Sequence, residues 1–448
     1  MPTSSSAAAM PVMQSERIDI IDSLRGFAIL GILLMNIPGF GLPGPVGNDP
    51  SIWNESATIH YKIWFLVDWF PEGTQRAIFS MLFGAGIIMF VTRQEKRLPG
   101  LMAADYFFRR QLWLLVFGLI DIYILLWWGD ILFDYACYGM IMFTFRKLSP
   151  KALIMGAVIC MLLMLVRENR DLYQEKQTIW RGEKVAAIDT TKVKLTELQK
   201  ERLGAYTEFK ESSTKESKLK RVERSIRKTT GDYETLYNFR TNMYLNFMLL
   251  HFSYMGIWDV LLFMFLGMAF YKMDILTGKG SYRLYWIMAI VGLGLGLFLS
   301  YLRLLPLIQS RFNYFDYTKR INFEFYTLSR ILRGLGIFAA MILLYKSGWC
   351  KWLFRLFRPV GQMAFTNYLT QSLICGIVFY GIGFGMIGKM QRSEIYIVVG
   401  CIWVLQITWS HLWLRYFNFG PLEWAWRSLT YWKRQPMRKS RSDLRAVN

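Results

Sequence analysis

The chain has 448 residues, of which 54% are hydrophobic and 19% are charged, and its formal net charge is +21. Soluble domains have about a quarter of their residues charged. Here the charges are concentrated between apolar runs of about 17–25 residues, the length that crosses a bilayer. The composition therefore excludes an ordinary soluble protein. We interpret the excess of Lys and Arg as charge that orients a membrane protein, and not as a nucleic-acid interface.

The polar N-terminus, residues 1–16, is rich in Ser and Ala and is predicted to be disordered. No small-residue cleavage site closes the apolar run that follows, which indicates a retained helix and not a signal peptide. We predict an all-α, polytopic membrane bundle of about ten transmembrane helices. The predicted spans are 20–40, 76–91, 111–128, 131–145, 152–166, 245–271, 285–302, 325–345, 363–387 and 395–414.

The first span belongs to a predicted N-terminal membrane unit, residues 17–166, and carries three polar candidates. Asp22 and Arg25 are three residues apart, so they share a helix face. They form either a local ion pair or a binding site for an anionic substrate. Asn36 lies near the other end of the span. It either bonds a neighbouring helix or positions an acceptor group as a catalytic residue.

Carboxylates and histidines supply the other catalytic candidates. Asp130 and Asp134 lie at the third-to-fourth hairpin, where Asp130 is expected at the outer face, and they either cap a helix or act as an acid–base pair. His60 is either a general base or an exposed histidine. His251 and His411 are predicted to be packed core residues. Three scattered histidines do not form a metal site, and none is predicted.

Residues 167–240 form a predicted soluble insert, because they contain 18 Lys/Arg and 13 Asp/Glu. Leu219, Val222 and Ile226 fall on one helical face, so part of the insert is expected to be an amphipathic helix. With ten spans and a cytoplasmic N-terminus the insert falls outside, and its charge does not oppose this because long loops translocate largely regardless of charge. A shift of one span after Val166 would move it to the cytoplasmic side.

The predicted C-terminal membrane domain, residues 241–431, is followed by a basic cytoplasmic tail, residues 432–448. Arg330 and Arg333 lie one turn apart in the eighth span. They either pair with a carboxylate such as Glu324 or bind an anionic substrate.

Close helix packing is predicted for the seventh span. Gly292, Gly294 and Gly296 alternate along it, and small residues allow helix backbones to approach. We therefore expect these glycines to contact a neighbouring helix.

Lys and Arg are enriched in alternate loops, which predicts a bacterial inner-membrane protein with both termini in the cytoplasm. The cytoplasmic face then includes a group of arginines that suits an anionic ligand. These arginines are Arg93, Arg109, Arg110 and Arg358. Arg109 and Arg110 are the candidates for cofactor binding, although no tightly bound cofactor is expected.

Several ordered segments carry a family resemblance. They are RIDIIDSLRGFAILGILLMNI (17–37), FSMLFGAG (79–86), WGDIL (128–132), TNYLTQS (366–372) and GPLEWAWRSLTY (420–431). Together they resemble the YeiB-type membrane proteins, whose C-terminal part is catalogued as domain of unknown function 418. Asn367 and Gln371, in the fourth segment, are candidate substrate-binding residues.

The opening segment also resembles that of membrane acyltransferases of the heparan glucosaminide acetyltransferase type. This resemblance implies transfer of an acyl group from cytosolic acyl-CoA to an envelope acceptor at the outer side. It places Arg25 near the donor and Asn36 on the acceptor side, and it assigns the catalytic histidine to His60. Two alternatives stay open: a transporter of a small anion that uses Arg330 and Arg333, and a non-catalytic scaffold that binds a partner through the insert. A homo-oligomer is compatible with each.

Overall fold

The computed structural model describes residues 18–250 and 256–439. The predicted disordered N-terminus, His251 and most of the basic tail lie outside these ranges. The helices are α1 (Asp19–Gly41), α2 (Ile59–Trp69), α3 (Thr74–Arg97), α4 (Met102–Tyr123), α5 (Leu132–Met142), α6 (Pro150–Ala186), α7 (Glu197–Ser212), α8 (Lys215–Thr229), α9 (Tyr233–Leu250), α10 (Ile257–Lys272), α11 (Tyr282–Gln309), α12 (Tyr314–Arg320), α13 (Tyr326–Ser347), α14 (Lys351–Gln362), α15 (Ala364–Phe379), α16 (Arg392–Tyr416) and α17 (Pro421–Tyr431).

The all-α membrane architecture is confirmed, because the described part of the chain is mainly helical and contains no β-strand beyond one isolated bridge. Six segments of it are long and apolar enough to cross a bilayer. They are Asp19–Gly41, Ile59–Arg97, Pro150–Ala186, Tyr282–Gln309, Tyr326–Ser347 and Arg392–Tyr416. Leu132–Phe145 and Ala364–Phe379 are shorter apolar helices. The total of about ten spans stays a prediction.

The bundle has two distinct ends. At the first, which we call the basic end, Arg358 pairs with Asp19 at 3.0 Å at the start of α1. At the other, the insert end, Lys218 of α8 pairs with Asp49 at 2.6 Å in the loop after α1. Since α16 runs from the insert end to the basic end, the described chain starts and finishes at the basic end. This agrees with two termini on one side of the membrane.

Glycines bring pairs of helices into close contact. Between α3 and α10, a Cβ added at Gly84 would overlap the Met264 carbonyl, and one added at Gly267 would overlap the Met81 carbonyl. The two helices therefore cross with their backbones touching, which only small residues permit.

The predicted packing of the seventh span is confirmed at two of its three glycines. A Cβ at Gly292 would lie 2.7 Å from the Leu332 carbonyl oxygen of α13, and one at Gly296 would lie 2.7 Å from the Arg333 amide nitrogen. The prediction for Gly294 is wrong, because no described atom lies within 4 Å of a Cβ there. A step of two residues turns a helical side chain through about 200°, away from the partner helix.

The α4–α5 hairpin turns inside the bundle. Helix α4 ends at Tyr123 and not near Trp128, and α5 has 11 residues. That length covers about 16 Å, less than the bilayer's apolar thickness of about 30 Å. Asp130 in the turn is 4% exposed, so it is covered by the protein, and its location at the outer face stays a prediction. Its predicted capping role is confirmed, since it accepts a hydrogen bond from the Phe133 amide at 2.9 Å.

The predicted start of the insert lies within a continuous helix. Helix α6 has 37 residues and runs through residue 167, and its length of about 55 Å exceeds the bilayer's apolar thickness of about 30 Å. The predicted amphipathic helix is α8. Val222 in it is buried, whereas Leu219 is 37% exposed and does not join the apolar contact. The other insert boundary, residue 240, falls within α9.

The contact between α3 and α10 is tested by adding one methyl group. We expect Gly267→Ala to lower the free energy of unfolding by about 1–3 kcal/mol, since the methyl must displace backbone. Gly294→Ala, in open space, is expected to be neutral or to stabilise by up to about 1 kcal/mol. Thermal unfolding of the two purified variants compares them, and equal shifts would contradict the close crossing.

Candidate functional site

A cavity of about 250 Å³ opens within the bundle near the basic end. Helices α1, α3, α4, α5, α15 and α17 all contribute to its wall. Most of its wall is apolar, including Phe79, Leu82, Phe83, Ile87, Phe90, Phe107, Leu114 and Leu132. These side chains form a binding surface for a hydrocarbon group.

Arginines line the cavity together with the apolar wall. Arg25, Arg93, Arg110 and Arg427 all contribute to the lining, against the two carboxylates Asp22 and Glu423. Four arginines face two carboxylates, so the lining has an excess of positive charge. The Asp22 carboxylate forms an ion pair with Arg25 at 2.8 Å. We call these four arginines the cationic mouth.

Aromatic rings position one arginine of the cationic mouth. The Arg110 guanidinium lies over the Trp426 ring, 3.7 Å from its centroid, and 5.3 Å from that of Phe90. The Trp426 indole nitrogen in turn donates to the Arg110 carbonyl at 2.9 Å. Helix α17 is thereby fixed to α4, and its own Arg427 completes the cationic mouth. Fixed guanidinium groups suit phosphate, which accepts paired hydrogen bonds from them.

Tyrosines form the polar part of the cavity wall. Tyr135 shares a hydrogen bond of 2.6 Å with Ser80. The Tyr368 hydroxyl donates to Asp130 at 3.3 Å and accepts from the Ile131 amide at 3.2 Å. Tyr368 therefore connects the cavity with the buried carboxylate behind it.

A second carboxylate lies beside Asp130. Asp121 of α4 is completely buried and interacts electrostatically with Asp130. Both Asp121 oxygens lack a hydrogen bond within the described residues. Neighbouring buried carboxylates disfavour each other's ionised form. This pair is the group next to the cavity that can give or take a proton.

Glu423 joins the start of α15 to α17. It accepts hydrogen bonds from the Phe365 amide at 2.8 Å, the Thr366 amide at 3.0 Å and the Thr366 hydroxyl at 2.6 Å. These amides belong to the first turn of α15, where they have no partner within the helix. Burial raises the pKa of Glu423, outside the candidate spans, and these hydrogen bonds oppose the rise.

The structure brings only some of the predicted site residues to the cavity. Asp22, Arg25 and Arg110 line the cavity. Asp130 does not line it, but it accepts a hydrogen bond from Tyr368, which does. Arg109 is outside the wall and pairs with Asp105 at 2.8 Å.

Asn367 and Gln371 are buried between helices and do not line the cavity. Asn367 donates to the Val360 carbonyl and the Ser410 hydroxyl, both at 3.1 Å. Gln371 donates to the Ile29 carbonyl at 3.3 Å and to Gln406 at 2.9 Å. Their contacts hold α15 against its neighbours, and their role in substrate binding stays a prediction.

Arg330 and Arg333 are buried in a separate cluster. Arg330 forms a two-pronged ion pair with Asp259, which also binds Arg76 at 2.6 Å. Arg333 donates to three successive carbonyls, those of residues 68, 69 and 70, at 3.0–3.2 Å. Both cations thus have partners within the protein, as in the structural alternative.

Asn36 and His60 lie toward the insert end. Asn36 is half-buried and forms no hydrogen bond with the described part of the chain. His60 accepts a hydrogen bond from the Ser393 amide at 3.3 Å. Asp134 is half-buried on α5, close enough to Asp130 to interact with it electrostatically. The prediction of a packed core residue is wrong for His411, which is exposed on α16.

Sequence reasoning missed part of the site. Tyr368 and Arg427 lie in segments that carry the family resemblance, but neither is an ionisable residue at an unusual position within an apolar run. Only the return of α17 against α4 brings Arg427 beside Arg110. The signal in the sequence was the unusual aromatic content of the motif at 420–431. The positions of its side chains could be known only from the fold.

A helical bundle with this cavity defines the class, a polytopic membrane protein with an internal amphiphilic site. Residues 270–433 match the family described as "Protein of unknown function (DUF418)". The chain is 28% identical to the uncharacterized protein YxaH of Bacillus subtilis, over 97% of this chain and 99% of that protein. It is also 28% identical to the uncharacterized protein YeiB of Escherichia coli, over 93% and 96%. The chain is thus similar to YeiB-like proteins over most of its length, and its C-terminal part matches the DUF418 family. No solved structure matches it.

The role of Glu423 is tested by removing its carboxylate. We expect Glu423→Ala to lower the free energy of unfolding by about 1–3 kcal/mol, because buried amides of α15 lose their acceptor. Glu423→Gln keeps an acceptor oxygen and is expected to lose less. Thermal unfolding measures both. Equal stability of Glu423→Ala and the wild type would show that the cap is dispensable.

Proposed function

We propose that the chain transfers an acyl group from acyl-CoA, bound in the cavity, to an acceptor that approaches from the insert end. The observation that carries the proposal is the composition of the cavity: four arginines and an apolar wall in one site. Acyl-CoA has this combination, a phosphate-rich nucleotide joined to an apolar acyl chain. A small inorganic anion would have no use for the apolar wall.

The donor is oriented by the charge of the site. The phosphates of CoA would bind Arg25, Arg110 and Arg427, and the acyl chain would lie among the phenylalanines of α3 and α4. The thioester then reaches toward Tyr368. The positive-inside count favours a cytoplasmic location for this end. CoA is found in the cytoplasm, which supports the same orientation.

The reaction needs a base for the acceptor and a proton for the leaving thiolate. An acceptor hydroxyl would attack the thioester carbonyl carbon; the new C–O bond forms and the C–S bond breaks. Asp130 would take the hydroxyl proton and return it to the CoA thiolate, so the protein ends unchanged. Tyr368 would orient Asp130, while Asp121 keeps the pair's charge low. Asp134 is a second candidate for the same proton.

The acceptor side of the proposal uses Asn36 and His60. Asn36 lies 11 residues beyond Arg25 on α1, which is about 16 Å along the helix. An amide at that position would orient an acceptor that enters from the other side. His60 would contact the acceptor at the membrane surface. The transporter alternative has less support, because Arg330 and Arg333 bind carboxylate and carbonyl groups of the protein itself.

Donor binding can be measured without knowing the acceptor. In nanodiscs, acetyl-CoA at 100 times its Kd is expected to stabilise the folded protein by about 2.7 kcal/mol. Arg110→Gln should remove this stabilisation, because it deletes a charge that lines the cavity. Arg355→Gln removes an exposed arginine outside the cavity lining and should keep it. The proposal fails if neither short nor long acyl-CoA stabilises folded wild-type protein.

Catalysis is tested separately at Asp130. We expect Asp130→Asn to keep acetyl-CoA stabilisation and to reduce incorporation of labelled acetyl groups into bacterial membrane vesicles by about 10²–10⁴-fold. The asparagine side chain can still accept the Phe133 hydrogen bond, so the hairpin is preserved. Asp105→Asn, on the exposed side of α4, is the matched control. Undiminished incorporation by Asp130→Asn would remove that residue from the mechanism.

A further inference from the structure

Helix α9 carries a charged residue into the bundle from the insert end. Leu236, Arg240 and Tyr244 follow at steps of four residues, so they share one face of the helix. All three are buried, and Arg240 is 3% exposed. The insert therefore does more than cover the membrane domain, since its last helix brings a guanidinium into the protein.

Arg240 is buried without a counter-ion in the described part of the chain. Its guanidinium lies over the Tyr380 ring, 4.7 Å from the centroid. Among the described residues it forms no ion pair and no hydrogen bond, and its Nε atom is buried without a partner. A buried charge normally has a partner of opposite charge, because burial alone is very costly. The arginine side chains of the Asp259 cluster follow that rule, and Arg240 departs from it.

Other polar atoms of α9 near Arg240 also lack partners. The hydroxyls of Thr241 and Tyr244 are buried and have no hydrogen bond within the described ranges. The same holds for the indole nitrogen of Trp128, whose ring packs edge-on against Phe247 of α9 at 5.6 Å. Each of these groups can donate a hydrogen bond. An oxyanion site needs a cation and several hydrogen-bond donors, and both are available here.

This site adjoins the proposed acceptor path. Tyr244 interacts electrostatically with Asp130 and Asp134. A Cβ at Gly39 of α1 would lie 3.6 Å from the Trp128 ring. Asn36 is three residues before Gly39, and it therefore faces the same side of α1.

We propose that Arg240, with the Tyr244 hydroxyl, binds an oxyanion, a phosphate or carboxylate group of the acceptor. The assignment to the acceptor rests on the proposed acyl transfer, whereas anion binding itself does not. The insert would then select acceptors that carry negative charge and hold them beside Asn36 and Asp130. The source of the oxyanion is either a soluble molecule or an anionic lipid headgroup.

Anion binding is measured on the full chain in nanodiscs of phosphatidylcholine, with inorganic phosphate as the probe and thermal unfolding as the readout. Phosphate is expected to stabilise the wild type. Arg240→Gln should raise the phosphate concentration needed for half of the effect by about tenfold or more, the loss expected for one charge-assisted contact. Arg227→Gln, an exposed arginine of the same insert, should match the wild type. Acetyl-CoA should stabilise Arg240→Gln as well as wild type.

The second arm replaces phosphatidylcholine with phosphatidylglycerol. Extra stability in the anionic lipid that disappears in Arg240→Gln supports the site and identifies a headgroup as the source. Anion effects that are unchanged in Arg240→Gln overturn the proposal. So does phosphate stabilisation that is lost in Arg110→Gln but kept in Arg240→Gln, since it belongs to the cationic mouth.

Two further measurements decide the cases in which a variant does not fold or acetyl-CoA does not bind. If Arg240→Gln does not fold, Tyr244→Phe removes only a hydroxyl and is expected to weaken phosphate binding several-fold; unchanged binding overturns the proposal. If acetyl-CoA fails to stabilise the wild type but phosphate binds through Arg240, the acyl-transfer function fails and the anion site stands.

Discussion

The bilayer interior offers no water, so each polar group buried there must find its partner within the protein. Much of the bundle follows this constraint. Arg330 and Arg76 share Asp259, and Arg333 binds three carbonyls at the end of α2. The glycine contacts bring backbones together where no polar side chain is needed. Because the rule is followed so widely, the buried groups that depart from it mark the places where a ligand or a proton is expected.

Three features of the bundle indicate a ligand or a proton-transfer group. Arginines gather in the cavity lining near the basic end, a carboxylate pair is buried behind Tyr368, and Arg240, toward the insert end, has no ion pair among the described residues. The order is that of a reaction across a membrane: an anionic donor, a proton-transfer group and an acceptor. The short α4–α5 hairpin makes this possible, because its turn holds Asp130 within the bundle and not at the surface.

The short helix α17 makes several of the contacts that form the site. Its 11 residues cap α15 through Glu423, hold Arg110 through Trp426 and supply Arg427 to the cationic mouth. A family motif thus combines helix capping and charge placement in one element. The insert has a comparable position at the other end, where α9 brings a cation against Tyr380.

Sequence alone determined the membrane class, the position of most long helices and the resemblance to YeiB-like proteins, because apolar runs of bilayer length and ordered motifs are local signals. It also identified Arg25, Arg110 and Asp130 as candidate functional residues. It could not tell paired charges from unpaired ones. Arg330 and Arg240 are both arginines near apolar segments, yet the fold gives a carboxylate to the first and only an aromatic ring to the second. Tertiary structure also decided that His411 faces outward and that Gly294 contacts nothing, since both depend on helix rotation, which apolar periodicity leaves undefined when a helix is apolar on every side.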